Sequence, residues 1–282
     1  IKIVMFMIET ENMIKEGAMK IYVFDIDGDL LSIPTVFYME DIKTGRILEF
    51  QSKDTYEVLK NMENLGLRFH ISQNNSMRNF IGKHGDKALL NDIKRVEYGK
   101  SWPDFVRCVN EGSIFSIITA RGNSLKCLRL IFSNFIKNNV NGISFELFLK
   151  NIKNNKIFNR LLEKYYYKIT NNNKILDLYI NNCCSFYGWN SKETRHTLQG
   201  LNKDMTIQDF KLLALKDFEN KIRDIVKECN IDNVNEFIEL GFSDDEELNC
   251  LTIKQYFEQN RGDIFKRKIY YTGNGDKKVI FS

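Results

Sequence analysis

The sequence predicts an α/β protein with a parallel central sheet, because strand-like apolar runs alternate with amphipathic helices along the chain. Three of these runs begin at Ile21, Ile114 and Phe237, and each ends in polar residues. The carboxyl ends of parallel strands share one edge of a sheet, so these polar residues are expected to converge there. The expected architecture has three layers, with helices on both faces of the sheet.

Composition places few limits on function. The chain has 282 residues, 43% of them hydrophobic and 28% charged, which is typical of a globular protein with a sizeable core. A formal net charge of +4 is mild and does not select a class of partner. The apolar runs 1–8 and 114–120 are too short to cross a bilayer, so no membrane association is predicted.

Cysteine and histidine usage indicates the compartment and argues against zinc. The six cysteines and three histidines show no metal-ligand spacing. Free thiols are typical of a reducing environment, so a cytoplasmic location is predicted.

The first strand-like run carries the most informative residues. The β-branched and aromatic segment 21–24 leads into Asp25 and Asp27, which are one residue apart. Strand residues two apart project to the same side, so the two carboxylates are expected to point together. Like charges at that separation are costly to bury unless a cation lies between them. Hard oxygen ligands around a small cation indicate Mg²⁺.

A hairpin and an irregular segment are predicted next. Residues 35–50 alternate in polarity on both sides of a turn at 41–46, which predicts a β-hairpin. A helix from Ser52 to Asn64 follows, and the polar stretches 73–76 and 82–85 are predicted to be loops. We expect the whole of 36–99 to be an insertion that selects the substrate.

The second apolar run ends in a candidate anion site. A helix over 102–111 precedes the strand, which ends at Thr119 and is followed by Ala120, Arg121 and Gly122. Small residues let backbone amides approach an anion, and the helix that begins near Ser124 favours negative charge at its first turn. Two interpretations of Arg121 stay open: it pairs with a substrate phosphate, or it forms a salt bridge to a neighbouring loop.

The region 138–205 is predicted to be a basic insertion rich in Asn and Lys, with Tyr and Phe between the lysines. Aromatic and basic side chains together are able to bind nucleic acid. Alternatively, Phe148 and Ile152 pack inward from a helix while the lysines remain in water. The mild net charge favours this second interpretation.

A long helix capped by Thr206 carries two lysines of interest. At 100° per residue Lys211 falls within about 20° of Phe218 on the apolar stripe, whereas Lys216 lies nearly opposite. A lysine on a buried stripe is costly unless it pairs with carboxylates, which favours Lys211 as a site residue. The next strand ends in Asp244 and Asp245, which are candidate ligands or helix caps. A closing hairpin is predicted over 264–282.

These segments resemble, in order, the four motifs of the haloacid dehalogenase-like (HAD) superfamily. The matching residues are Asp-Ile-Asp-Gly at 25–28, Ile-Ile-Thr-Ala-Arg-Gly at 117–122, the helix of Lys211, and Gly-Phe-Ser-Asp-Asp at 241–245. The sequences of these motifs look closest to those of HAD-like proteins of phages and large DNA viruses. The resemblance covers residues 20–35 and about 100–260.

The resemblance implies a domain organisation. A three-layer, Rossmann-like HAD core would comprise 18–35 and 100–282, including the insertion at 138–205. Residues 36–99 would form a β-hairpin flap and a small cap, and the family places its flap over the catalytic aspartates.

It also implies catalytic roles. Asp25 would be the nucleophile that accepts a phosphoryl group, and Asp27 the general acid and base for the leaving oxygen. Thr119, the backbone N–H of Ala120 and the ammonium of Lys211 would bind the phosphoryl oxygens.

The implied cofactor is Mg²⁺. Asp25, the backbone carbonyl of Asp27 and the carboxylate of Asp244 would be its ligands, and Asp245 would hold Lys211. Asp29 departs from the family, which has Thr or Val there, and this predicts an altered loop or weakened activity.

The expected function is therefore Mg²⁺-dependent hydrolysis of a phosphomonoester, on a phosphorylated small molecule or a nucleic-acid end. The alternative is a catalytically weak HAD-fold binding protein with a protein partner, or one associated with a virion. If the protein is viral, its expected location is the host cytoplasm.

Overall fold

The computed structural model describes residues 19–41, 43–51, 69–70, 76–164, 171–189, 191–202, 204–228, 238–273 and 275–282. The helix expected over 52–64 lies outside these residues, as do the loop at 73–75 and the aromatic run 165–167.

The centre of the molecule is a six-stranded, mostly parallel sheet with the strand order β11-β10-β9-β1-β7-β8. Only β11 runs antiparallel, in a hairpin with β10. The predicted α/β class with a parallel central sheet and the predicted closing hairpin are thus confirmed. The six strands are β1 (Lys20–Phe24), β7 (Ile114–Thr119), β8 (Ser185–Gly188), β9 (Ile238–Asp244), β10 (Phe265–Tyr271) and β11 (Lys278–Phe281).

Strand register brings the three polar segments to one edge of the sheet. Phe24, the last residue of β1, pairs with Ile117 on one side and Ser243 on the other. Asp25 therefore follows β1 at the level where β7 ends in Thr119 and β9 ends in Asp244. The apolar residues that fill β1 and β7 make these strands the buried centre of the sheet.

Helices pack on this sheet through apolar and aromatic contacts. Phe105 of α2 lies against Phe24 and Phe115, with ring centroids 5.8 Å and 5.2 Å apart. Helix α8 contacts β7 and α9, and α9 contacts β9 and β10. The helices are α1 (Gly82–Asp92), α2 (Trp102–Asn110), α3 (Leu125–Lys137), α4 (Phe145–Ile152), α5 (Lys156–Lys164), α6 (Asn172–Leu178), α7 (Lys192–Thr197), α8 (Ile207–Glu228) and α9 (Glu247–Gln259). In the described part of the chain, no helix has both the length and the apolar character needed to span a bilayer.

The expected hairpin at 35–50 is present as the antiparallel pair β3 (Val36–Asp41) and β4 (Ile47–Gln51). Short strands complete this region: β2 (Leu31–Ser32), β5 (Phe69–His70) and β6 (Glu97–Tyr98). Phe37 and Met39 of β3 pack with Phe80 in a small cluster apart from the main core. Ile81 bridges to Gly122, which connects this cluster to the loop after β7.

The prediction of a loop at 82–85 is wrong, because these residues form the first turn of helix α1. Gly82 adopts a φ of +62°, and a Cβ on Gly85 would lie 2.7 Å from the carbonyl carbon of Phe80. Gly82 thus provides the left-handed backbone conformation at the start of the helix, and Gly85 allows the helix to pack closely on the backbone of Phe80. The apolar anchor of this helix, Leu89, lies too far along the chain to be recognised in a four-residue window.

The region 138–205 contains helices and one core strand. Phe148 and Ile152 of α4 are fully buried while Lys153 is exposed, as the second interpretation of this region expects. After α6 and a π-helical turn at Tyr179–Cys183, the chain enters β8, the outermost strand of the central sheet on that side. Part of the predicted insertion therefore contributes to the core.

Candidate active site

A buried lysine lies among carboxylates at the carboxyl edge of the sheet. Lys211, in the second turn of α8, is 2% exposed. Its Nζ donates to Asp244 Oδ2 at 2.6 Å and lies 3.2 Å from Asp25 Oδ1. Lys216 is exposed, and its Nζ lies 4.9 Å from the centre of the Tyr256 ring. Of the two candidate lysines, Lys211 is therefore the one whose ammonium contacts the carboxylates of Asp25 and Asp244.

Three carboxylates form a group that could hold a metal ion. Asp25, Asp244 and Asp245 each offer one oxygen, and these oxygens all lie within 4.8 Å of one another. Oxygen donors at this spacing suit a hard divalent cation. Among the described residues, the buried Asp25 Oδ1 has an ion pair with Lys211 but accepts no hydrogen bond, so it keeps acceptor capacity that a metal ion would fill.

The electrostatics of this acidic group also favour a cation. Burial raises the pKa of Asp25 well above its usual value, Lys211 lowers it in part, and Asp244 raises it further. Burial, and then the charge of Asp244, raises the pKa of Asp245 to about 7. Burial alone would lower the pKa of Lys211, yet Asp244 and Asp25 together hold it above the ordinary value. One ammonium thus only partly offsets two buried carboxylates and a third, half-buried one.

Asp244 is fixed on its other side by the start of α9. Its Oδ1 accepts from the backbone N–H of Glu246 at 3.0 Å and from Asn249 Nδ2 at 2.9 Å. The N-cap residue of α9 is Glu246, so Asp244 binds the residue before the first helical one and does not cap the helix in the way considered for this acidic pair. Because both oxygens are engaged, the carboxylate has one defined orientation.

Asp245 does not have the predicted position. It was expected to hold Lys211, but among the described residues the ammonium has ion pairs with Asp244 and Asp25. The Asp245 carboxylate lies instead against Gly28, where an added Cβ would be 1.9 Å from Oδ2. Adjacent residues at the end of a strand project to opposite sides, so one of the two acids faces Lys211 and the other faces the loop after β1.

Asp27 is engaged by an arginine. Arg121 donates from Nε to Asp27 Oδ2 at 2.6 Å and from Nη2 to Oδ1 at 2.7 Å, and Nη2 also donates to Thr35 Oγ1 at 3.0 Å. The arginine side chain is 1% exposed and that of Asp27 is 32% exposed. Arg121 thus forms the salt bridge to a neighbouring loop that was one of its two interpretations. The Asp27 carboxylate is outside the acidic group, and a metal contact through its carbonyl stays a prediction.

Thr119 and Ala120 form the turn that links β7 to Arg121. The Thr119 hydroxyl accepts from the backbone N–H of Arg121 at 3.2 Å. The backbone carbonyl of Thr119 accepts from the backbone N–H of Trp189 at 2.9 Å. Thr119 is 1% exposed and Ala120 is exposed. The turn lies at the same edge of the sheet as Asp25, and phosphate binding by Thr119 and Ala120 stays a prediction.

Asp29 is the residue whose surroundings the sequence could not reveal. It is fully buried, and its carboxylate accepts from Ser243 Oγ at 2.6 Å and from Thr272 Oγ1 at 2.9 Å. Burial raises its pKa to about 6, although hydrogen bonds from hydroxyl groups oppose the shift. Both hydroxyl donors lie more than 200 residues further along the chain, so no local pattern indicates them.

The Asp29 carboxyl should make the stability of the metal-free protein depend on pH. Its pKa is raised from 3.8 to about 6 in the folded chain, so between these values the folded state retains a proton that the unfolded state has released. Stability is therefore expected to fall as pH rises through this window, by roughly 3 kcal/mol for a shift of about two units. Urea unfolding at pH 4 and pH 7 measures the fall, which should be smaller by about this amount in Asp29→Asn. Equal falls in the two proteins would contradict the assignment.

No family model, curated protein or solved structure matches this chain.

Proposed function

We propose that the chain is a Mg²⁺-dependent phosphomonoester hydrolase of the HAD-like superfamily that acts through an aspartyl-phosphate on Asp25. The observation that carries the proposal is the position of Asp25. It is 6% exposed at the carboxyl end of the central strand, beside the ammonium of Lys211 and within reach of Asp244 and Asp245. A nucleophilic carboxylate needs such a charged, water-poor setting to be aligned for attack on phosphorus.

In the proposed reaction one oxygen of Asp25 attacks the phosphorus atom, and the bond to the leaving oxygen breaks. The contact with Lys211 orients the Asp25 carboxylate and offsets its charge when a phosphate dianion approaches. Asp25, Asp244 and Asp245 would hold Mg²⁺, which supplies charge neutralisation at the phosphoryl oxygens.

Asp27 would give a proton to the leaving oxygen and then take one from the water that hydrolyses the aspartyl-phosphate. Its side chain is partly exposed, so it is accessible to both the leaving group and water. The two hydrogen bonds from Arg121 fix the direction of its carboxylate. Thr119 and the N–H of Ala120 would bind the phosphoryl oxygens across from Lys211.

The hairpin β3–β4 would serve as the flap over this edge, in a cap formed by 36–99. It is connected to the site through the backbone of Phe80 and Gly82, which pair with Gly122 just after Arg121. A flap in this position would exclude water and select the substrate, a phosphorylated small molecule or a nucleic-acid end.

Hydrolysis of para-nitrophenyl phosphate with and without Mg²⁺ tests the proposal. Phosphate release that needs Mg²⁺ and is stopped by chelation is the expected result. A panel of nucleotides and oligonucleotides with 3′- or 5′-phosphate ends would then identify the substrate class. No release from any of these substrates in the presence of Mg²⁺ would overturn the proposal.

One observation favours the second candidate, a binding or virion-associated protein with little turnover. Arg121 donates two hydrogen bonds to Asp27, so both carboxylate oxygens that would exchange a proton with the leaving group are already engaged. Metal-dependent thermal stabilisation without turnover would support this candidate, whereas measurable turnover would exclude it.

A further inference from the structure

We propose that Asp29 is a positioning residue that fixes the two acids at the end of β9 relative to Asp25. This inference rests on the metal site of the proposed function. It goes beyond it by assigning a role to the carboxylate that departs from the family pattern.

The Asp29 carboxylate connects three neighbouring strands of the sheet. Asp29 itself lies in the loop after β1, and its two oxygens accept from Ser243, in β9, and Thr272, directly after β10. Ser243 immediately precedes Asp244. The backbone N–H of Thr272 donates to the Asp244 carbonyl at 3.0 Å. Both hydrogen bonds of Asp29 therefore reach residues that hold the backbone of Asp244.

The backbone of Asp29 is held from the opposite direction. Its carbonyl accepts from the Ser101 N–H at 3.1 Å, and the Leu30 carbonyl accepts from the Gly99 N–H at 2.7 Å. A Cβ on Gly99 would lie 2.1 Å from the Asp29 carbonyl oxygen, so only glycine allows this approach. The loop after β1 is thus a fixed support from which the carboxylate reaches β9 and β10.

Two glycines also lie close to Asp245, the second acid at the end of β9. The Asp245 carboxylate lies against Gly28, next to Asp29 in the chain, and a Cβ on Gly273 would lie 2.4 Å from the Asp245 carbonyl oxygen. A small movement of the loop or of β10 would therefore displace Asp245 as well as Asp244. The separation of these acids from Asp25 depends on the connection that Asp29 makes.

A carboxylate suits this role better than the threonine of the family. It offers two acceptor oxygens and so receives both hydroxyl protons at once, whereas a shorter threonine has one hydroxyl. Its burial with two neutral donors is costly, and no ion pair of Asp29 occurs among the described residues. Packing alone would be served by a neutral side chain, so the connection between the strands is the feature that needs the acid.

Calorimetric titration with Mn²⁺ and Mg²⁺ tests this role without relying on turnover. Asp29→Asn keeps the size of the side chain but replaces one acceptor by a donor that faces a hydroxyl. We expect Asp29→Asn and Asp29→Thr to weaken metal affinity by roughly 10-fold, as outer-shell changes commonly do. Ser243→Ala and Thr272→Val each remove one of the two hydrogen bonds and should give smaller losses, which keeps the test valid if the Asp29 variants fail to fold.

Glu219→Gln is the matched control. Glu219 is also a fully buried carboxylate, paired with Arg267, but it lies eight residues from Lys211 along α8, roughly 12 Å. This variant should lose stability with unchanged metal affinity, which separates positioning from general destabilisation. For the hydrolase, Asp29→Asn should lower kcat with little change in KM.

The outcomes separate this inference from the proposed function. Suppose that the wild type binds metal without turnover and that Asp29→Asn binds metal more weakly. This result would support the role of Asp29 and would contradict the hydrolase. An active wild type whose metal affinity and kcat are unchanged in Asp29→Asn would overturn the inference alone. A wild type that binds neither ion would overturn both.

Discussion

Asp25→Asn is expected to reduce phosphate release by at least about a thousandfold, because an amide does not form the covalent phosphoryl intermediate. Loss of a nucleophile is among the largest effects that one substitution has on an enzyme. The measurement is single-substrate hydrolysis at saturating Mg²⁺, with the background of the buffer subtracted.

Stability distinguishes this loss from unfolding. Burial raises the pKa of Asp25, so its ionised form is costly in the folded, metal-free chain. A neutral amide of the same size removes that cost, and Lys211 keeps its contact with Asp244. The metal-free variant should therefore melt at the same temperature as the wild type or above it. Undiminished hydrolysis by a folded Asp25→Asn protein would refute the role of nucleophile.

Lys211→Met is expected to destabilise the metal-free protein by about 3–5 kcal/mol, the usual effect of removing one partner from a buried ion pair. The substitution leaves Asp25 and Asp244 buried without the ammonium that now contacts both. The loss should be smaller at pH 5 than at pH 8, because burial raises the pKa of Asp25 and its protonated form no longer needs a cation. Saturating Mg²⁺ should restore part of the loss by supplying positive charge at the same acids.

Lys216→Met is the matched control for that experiment. It changes the same residue type in the same helix, but Lys216 is exposed and its ammonium contacts only the Tyr256 ring among the described residues. A loss of no more than about 1 kcal/mol is expected for a surface cation–π contact. Urea unfolding of the two variants provides the comparison. Equal losses would show that Lys211 has no special place among the carboxylates.

The sequence was sufficient to predict those strands and helices that have a clear pattern of apolar residues. The strands β1 and β7 are mostly apolar runs, and in β9 apolar residues alternate with Glu239 and Gly241. Helix α8 has an apolar stripe that includes Lys211. Helical geometry alone separated Lys211 from Lys216, because burial of a lysine on such a stripe requires partners. Their convergence at one edge follows from parallel pairing.

Pairings between distant segments could not be predicted in the same way. The bond between Arg121 and Asp27 joins residues 94 apart, and sequence patterns left two interpretations of Arg121 open. The contacts of Asp29 depend on the register of β10, which is set by the packing of the whole sheet. The assignment of Asp244 rather than Asp245 to Lys211 depends on which side each residue faces at the end of a strand.

The central claim is that Asp25, Asp244 and Asp245 together bind one divalent ion beside Lys211. Crystals soaked in Mn²⁺ test it directly, because anomalous scattering locates this ion without reference to the protein chemistry. We predict one anomalous peak bounded by these three carboxylates in the wild type, and none there in Asp244→Asn. Full occupancy of Mn²⁺ elsewhere, with no peak among the three acids, would contradict the account.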